Sequence, residues 1–187
     1  AYRKDPSTDS ELIYVTVDGS VDRIKVYDIN GTLLFTSEYT GNAVRDVVVD
    51  SNGTFYSCSE KSVRAFGPNG NTLWILGKNN GESSGSGDGE FSWPHGITLS
   101  SIGQIYVADR NNNRIQIIDK NGTYVSKFGE NGTAPGEFKK PLDLEFLQNG
   151  DLLIGDESFL NFFHEDGTFL KRTNNNSAKY FLSTAKD

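Results

Sequence analysis

Gly89-Glu90-Phe91, Pro94, Gly103 and Ile105-Tyr106-Val107-Ala108-Asp109 return as Gly136-Glu137-Phe138, Pro141, Gly150 and Leu152-Leu153-Ile154-Gly155-Asp156. Every matched pair lies 47 residues apart, so the two stretches align without a gap. A period of this size marks a repeat architecture in which each unit buries its apolar face against its neighbours. Fainter copies lie upstream. One turn recurs at Asn52-Gly53, Gly103 and Asn149-Gly150, and another at Asn30-Gly31, Asn69-Gly70, Asn121-Gly122 and Asp166-Gly167.

Between these turns the apolar residues alternate or run in short blocks, as in Ile97-Thr98-Leu99, Ile105-Tyr106-Val107 and Ile115-Gln116-Ile117-Ile118. Such runs, rich in Val, Ile, Tyr and Phe and bounded by Asn-Gly, read as strands and hairpins. The Asn-Gly pairs predict type I′ turns, with positive φ at both central residues. No segment carries the i, i+3, i+4, i+7 spacing of a long amphipathic helix. The chain is expected to be all-β, a β-propeller of about four four-stranded blades, either a small closed ring or an arc of a larger or assembled propeller. Residues 1–187 form one domain in this reading. Its blades are 11–39 plus 179–185, 43–77, 95–129 and 141–173. The first unit shows only three strands, and the C-terminal piece Lys179 to Ala185 supplies its fourth. Lys78 to Ser92, rich in Gly, Ser and Asn, is expected to be an inserted, mobile surface loop that adds little to the core.

The run Gly89-Glu90-Phe91…Pro94-His95-Gly96-Ile97…Gly103-Gln104-Ile105-Tyr106-Val107-Ala108-Asp109-Arg110-Asn111-Asn112-Asn113-Arg114-Ile115 resembles an NHL repeat. The resemblance is strong in the third unit and good in the fourth. It is partial in the second, and in the first it rests on Ile13-Tyr14-Val15 and Arg23-Ile24. Propellers of this family usually have six blades. Some bind RNA on a basic face, and the related peptide-amidating lyases hold zinc with several histidines at the axis.

Composition limits what the resemblance can mean. A net charge of −7, with no basic run longer than a pair such as Lys139-Lys140, argues against a nucleic-acid partner. No apolar run is long enough to predict a membrane span. The chain has no Met, as expected of a piece processed or excised from something longer, with a cleaved signal peptide the simplest cause. Cys58, the single cysteine, aligns with Ala108 and is expected to be a small buried hydrophobe. Five sequons, at Asn30, Asn52, Asn121, Asn131 and Asn175, predict glycosylation of exposed turns and an extracellular or cell-surface location.

Chemistry, if present, belongs at the propeller axis, where the first strand of each blade begins. The residues aligned there are Arg45-Asp46, His95-Gly96 and Leu142-Asp143, which makes Arg45, Asp46, His95 and Asp143 the candidate ligand mouth. Zinc held by three histidines is excluded within one chain, since His95 and His164 are its only two. Asp109 and Asp156 suggest half of a carboxylate ring, but Val17 and Ser59 fill the matching places, so both are expected to accept hydrogen bonds from the following turn. Arg114 and Arg23 are expected to stack between blades. No catalytic residue, metal or cofactor is assigned. The sequence favours a non-enzymatic extracellular binding or assembly module that presents loops to protein or glycan partners. Self-association through the C-terminal strand would make it a filament or surface-structure subunit. The alternative is a metal-assisted lyase or hydrolase with its site at the axis.

Overall fold

A computed structural model describes residues 2–4, 11–17 and 22–174. These residues form four antiparallel sheets of four strands each. The first holds β1 (Tyr2–Lys4), β2 (Glu11–Val17), β3 (Arg23–Asp28) and β4 (Leu33–Thr36). The second holds β5 (Asp46–Val49), β6 (Phe55–Ser59), β7 (Ser62–Phe66) and β8 (Thr72–Leu76). The third is β9 (Pro94–Leu99), β10 (Ile105–Asp109), β11 (Arg114–Ile118) and β12 (Tyr124–Phe128). The fourth is β13 (Asp143–Phe146), β14 (Leu152–Gly155), β15 (Phe159–Phe163) and β16 (Phe169–Asn174). Each sheet is a meander in chain order. The chain is therefore a row of propeller blades, as the repeat requires.

The first blade does not lack a strand. Tyr2–Lys4 pairs antiparallel with β2, Tyr2 opposite Ile13, and fills the place assigned from sequence to Lys179–Ala185. A three-residue strand is too short to show a period, so counting apolar runs missed it. Lys179–Ala185 lies outside the described residues.

The hairpin turns also differ from expectation. Gly31, Gly53, Gly122 and Gly167 have φ between +82° and +89°, while Asn30, Asn52 and Asn121 do not enter the left-handed region. The turn is thus a type I turn closed by a left-handed glycine, not type I′. The preceding Asp explains the choice. Asp28, Asp50 and Asp119 each accept the backbone N–H groups two and four residues on, at 2.7–3.0 Å. That side chain organises the first part of the loop, and only the closing residue needs glycine.

The cores lie between blades. Tyr14, Ile24 and Val26 of the first meet Val47, Phe55 and Phe66 of the second. Cys58, Val63 and Ala65 meet Ile97, Ile105 and Val107 of the third, and Tyr106, Ile115 and Ile117 meet Leu144, Leu152 and Ile154 of the fourth. Along the centre, β5 packs on β9 and β9 on β13. No strand of the first sheet joins the fourth in this packing, among the described residues. The described residues of the four blades form an arc.

Residues 78–92 are not the apolar-poor appendage their composition suggests. Phe91 is fully buried between the second and third blades. The Arg114 guanidinium, paired with Asp109 at 2.9 Å, donates to the Ser86, Gly87 and Glu90 carbonyls. Gln116 accepts from Gly89 N–H and donates to the Glu90 carbonyl. Arg114 therefore ties the loop to its blade, where stacking between blades was expected. Composition misjudged the segment because its anchors sit on β11, outside the segment itself.

The mouth where the innermost strands begin

β5, β9 and β13 all start at one end of the arc, here the upper end, and run down to hairpin turns at the lower end. Asp46, Gly96 and Asp143 occupy equivalent places in the innermost strands. The glycine has a steric cause: a Cβ at Gly96 would stand 2.8 Å from the Leu142 carbonyl and 2.9 Å from Asp143 Cα. The innermost strands approach so closely that the third blade cannot carry a carboxylate there.

The structure brings Asp46, His95 and Asp143 together and occupies the first two with neighbouring backbone. Asp46 accepts Val47 N–H at 2.8 Å and, across the blade boundary, Ile97 N–H at 3.1 Å. His95 Nδ1 lies 3.0 Å from the Leu142 carbonyl of the fourth blade. A carbonyl only accepts, so Nδ1 carries the proton and neutral His95 leaves Nε2 as an acceptor. Cys58 donates its S–H to the His95 carbonyl at 3.2 Å and is fully buried, as expected of a small core residue. Burial lifts the Asp46 carboxyl to about 6, with the Asp143 charge adding to the rise. Burial likewise lowers His95, and pushes the Cys58 thiol well up. Asp143 accepts Leu144 N–H at 2.9 Å.

Asp109 and Asp156 stand one strand further out and hold the linkers. Asp109 accepts Ser92 N–H, Arg114 Nε and the Asn112 and Gln116 amides. Asp156 accepts Lys139 N–H upstream and Ser158 and Phe159 N–H in the following turn. The expected turn contacts exist for Asp156. Asp109 takes only the Asn112 side-chain amide from its turn, no backbone N–H, and grips the preceding linker through Ser92 N–H. Among the described residues, no three His, Cys, Asp or Glu side chains gather closely enough to hold a metal ion.

Sequence reasoning missed the rim of this mouth. Ala43, Trp93 and Lys140, three residues before Asp46, Gly96 and Asp143, share φ of 51°, 56° and 52°. A left-handed Trp is a strained residue, held only where its surroundings over-determine it. Here Trp93 N–H donates to the Glu60 carbonyl and Lys140 N–H to Asn113 Oδ1. The recurrence of Trp93-Pro94 as Lys140-Pro141 was the available signal. The rim side chains reach across blade boundaries: the exposed Arg45 guanidinium lies 5.0 Å from the Trp93 ring centroid. Glu157 bridges Arg110 at 3.4 Å and Lys140 at 3.5 Å.

The lower end has a different character. A cleft of about 740 Å³ there is lined by Val49, Leu99, Ile102, Lys120, Phe146 and Leu147 among others, and Ile102 is 74% exposed. Asn30, Asn52 and Asn121 project from the lower turns, and all three are exposed. Asn131 is exposed in the upper linker between the third and fourth blades, and Asn175 lies outside the described residues.

A family model for the NHL repeat matches residues 91–118. The human NHL repeat-containing protein 3 is 47% identical over 45 residues, 24% of this chain and 12% of that protein. Its mouse counterpart is 42% identical over the same span. The chain thus matches about an eighth of the length of these relatives. Among solved structures, the WD40 β-propeller domain of Doa1 superposes with a TM-score of 0.62 at 17% identity, over 89% of this chain and 51% of that one. Kuenenia stuttgartiensis hydrazine synthase gives 0.61 at 16% identity, over 81% of this chain and 43% of that one. A functionally unknown protein from Desulfotomaculum acetoxidans gives 0.64 at 16% identity, over 92% and 55%. At these identities the structural likeness speaks for the fold alone.

Proposed function

From a chain that carries an NHL repeat and is built of propeller blades throughout, we propose a non-enzymatic protein-binding module that works outside the cell or at its surface. The rim of the upper mouth carries this reading. Three strained residues at equivalent places hold Trp93 and Lys140 beside Arg45, Arg110 and Glu157, a fixed patch of one aromatic ring and forked charges of the kind that anchors protein partners. The axial carboxylate and imidazole are engaged in bonds between blades, which suits a scaffold better than a reaction centre. Three of the four described sequons sit at the lower end, so glycans there would leave the upper rim free. A glycan ligand is the other partner class that such an aromatic and charged rim would serve.

The test is cross-linking in native extracellular material with the wild-type chain and with an Arg45→Glu/Lys140→Glu variant. Loss of the cross-linked partner in the variant supports the upper rim. Equal capture by both removes it.

The second reading, a metal-assisted hydrolase or lyase at the axis, draws on one observation: Asp46 and His95 are perturbed in the same mouth. Stoichiometric divalent metal that survives dialysis and is lost in His95→Ala would favour it.

A further inference from the structure

The two ends of the arc expose residues that every internal blade boundary buries. In the third blade, Tyr106, Ala108, Ile115 and Ile117 face the fourth and are 0–4% exposed. Pairing places Leu153, Gly155, Leu160 and Phe162 at the same positions of the fourth blade, on the side away from the third. Leu153, Leu160 and Phe162 are only half-buried. At the other end, Ile13, Val15 and Tyr27 of the first blade match Ile105, Val107 and Ile118, which are fully buried in the third. Val15 is 39% exposed, and Ile13 and Tyr27 are half-buried. The fourth blade thus presents the surface a following blade covers, and the first presents the surface a preceding blade covers.

We infer that these faces meet between two copies of the chain, the fourth blade of each stacked on the first blade of the other, in a closed head-to-tail dimer. The join continues an interface the molecule already makes at three boundaries, with the same positions and mainly apolar side chains on each side, Lys25 beside Val15 and Lys171 over Phe162 at their edges. Curvature favours closure: the arc superposes on 51% of the WD40 β-propeller domain of Doa1, about half a ring. Two arcs then complete a ring, whereas a heterologous contact with other curvature would run on as a fibre. The inference does not rest on the upper rim as a binding patch.

Sedimentation of the 187-residue chain over a concentration series tests it, with Val15→Glu and Leu160→Glu as variants. Both substitutions fall on partly exposed side chains, and circular dichroism checks that each variant retains its sheet. The expected result is a wild-type mass of twice 20.6 kDa and monomers for each variant alone. Mixing the two variants restores dimer in part, because one of the two joins then pairs an intact head with an intact tail. A wild-type chain that stays monomeric overturns the inference, as it would if further blades of a longer polypeptide covered these faces. Open polymer overturns closure. A dimer lost in only one variant overturns the head-to-tail arrangement.

Discussion

Asp46 is where the physical chemistry of this mouth can be read most directly. Its carboxyl, ordinarily near 3.8, is lifted to about 6 because ionisation places a charge among the innermost strands beside Asp143. Between these two values the folded state holds a proton that the unfolded state has lost. Asp46 therefore favours folding below pH 4, and that contribution falls away as pH rises through 6. Its ceiling is about 3 kcal/mol, from roughly two pK units at 1.36 kcal/mol each. Asp28, Asp119 and Asp166 act in the opposite sense, since turn N–H groups hold their carboxyls low and that stabilisation is lost in acid. Asp46→Asn isolates the buried group. Urea unfolding from pH 4 to 7 is expected to show the variant gaining on the wild type as pH rises, with Ile97 N–H still bonded to the amide oxygen. A constant difference across that range would mean that Asp46 titrates normally.

At the scale of elements, the linker matters more than its composition suggests. Deleting residues 79–91 removes the Phe91 ring from the core and leaves Arg114 and Gln116 with buried donors unmet. The expected loss exceeds the ~3–5 kcal/mol of a core Phe→Ala substitution, read as a fall in the urea midpoint. Phe91→Ala alone should reproduce most of the packing share. The turns give a cleaner contrast. Gly103 has φ +82° with open space around a Cβ, so Gly103→Ala should cost only the left-handed backbone, about 1–2 kcal/mol. At Gly129 a Cβ would stand 2.3 Å from the Phe138 ring, and Gly129→Ala should cost clearly more. Equal midpoints for the two would show that the ring moves aside freely. Strands, blades and Cys58 were legible because a period of two and a repeat of 47 write themselves along the chain. Tyr2–Lys4 and the pinned loop were not, because a short strand has no period and an anchor far along the chain leaves no local trace. The axial residues were found by alignment. Their occupation by neighbouring backbone depends on how closely β5, β9 and β13 approach, which spacing does not encode.

For the whole molecule, the upper and lower ends of the strands differ in their sequons. Charge does not separate them: the lower turns carry Asp28, Asp50, Asp119, Asp151, Glu165 and Asp166 against Lys120 and His164, and at the upper linkers Arg45, Lys61, Arg110, Lys139 and Lys140 stand among Glu60, Glu82, Asp88, Glu90, Glu130, Glu137 and Glu157. The overall charge of −7 is therefore spread over both ends. The sequons do divide, with Asn30, Asn52 and Asn121 below and Asn131 above. If a eukaryotic cell secretes the chain, peptide mass mapping of native material is expected to find glycans at all three lower positions. Each side chain is exposed on a hairpin whose fold depends on the preceding Asp and the closing Gly, not on the Asn itself. Asn→Gln at the three positions should then remove the glycans with less than about 0.5 kcal/mol change in stability, the usual range for surface substitutions. Capture at the upper rim should be unchanged in that triple variant, because the lower turns and the rim lie at opposite ends of the strands. Loss of capture with the glycans would place the binding surface at the lower end instead, in the cleft beside Ile102 and Lys120.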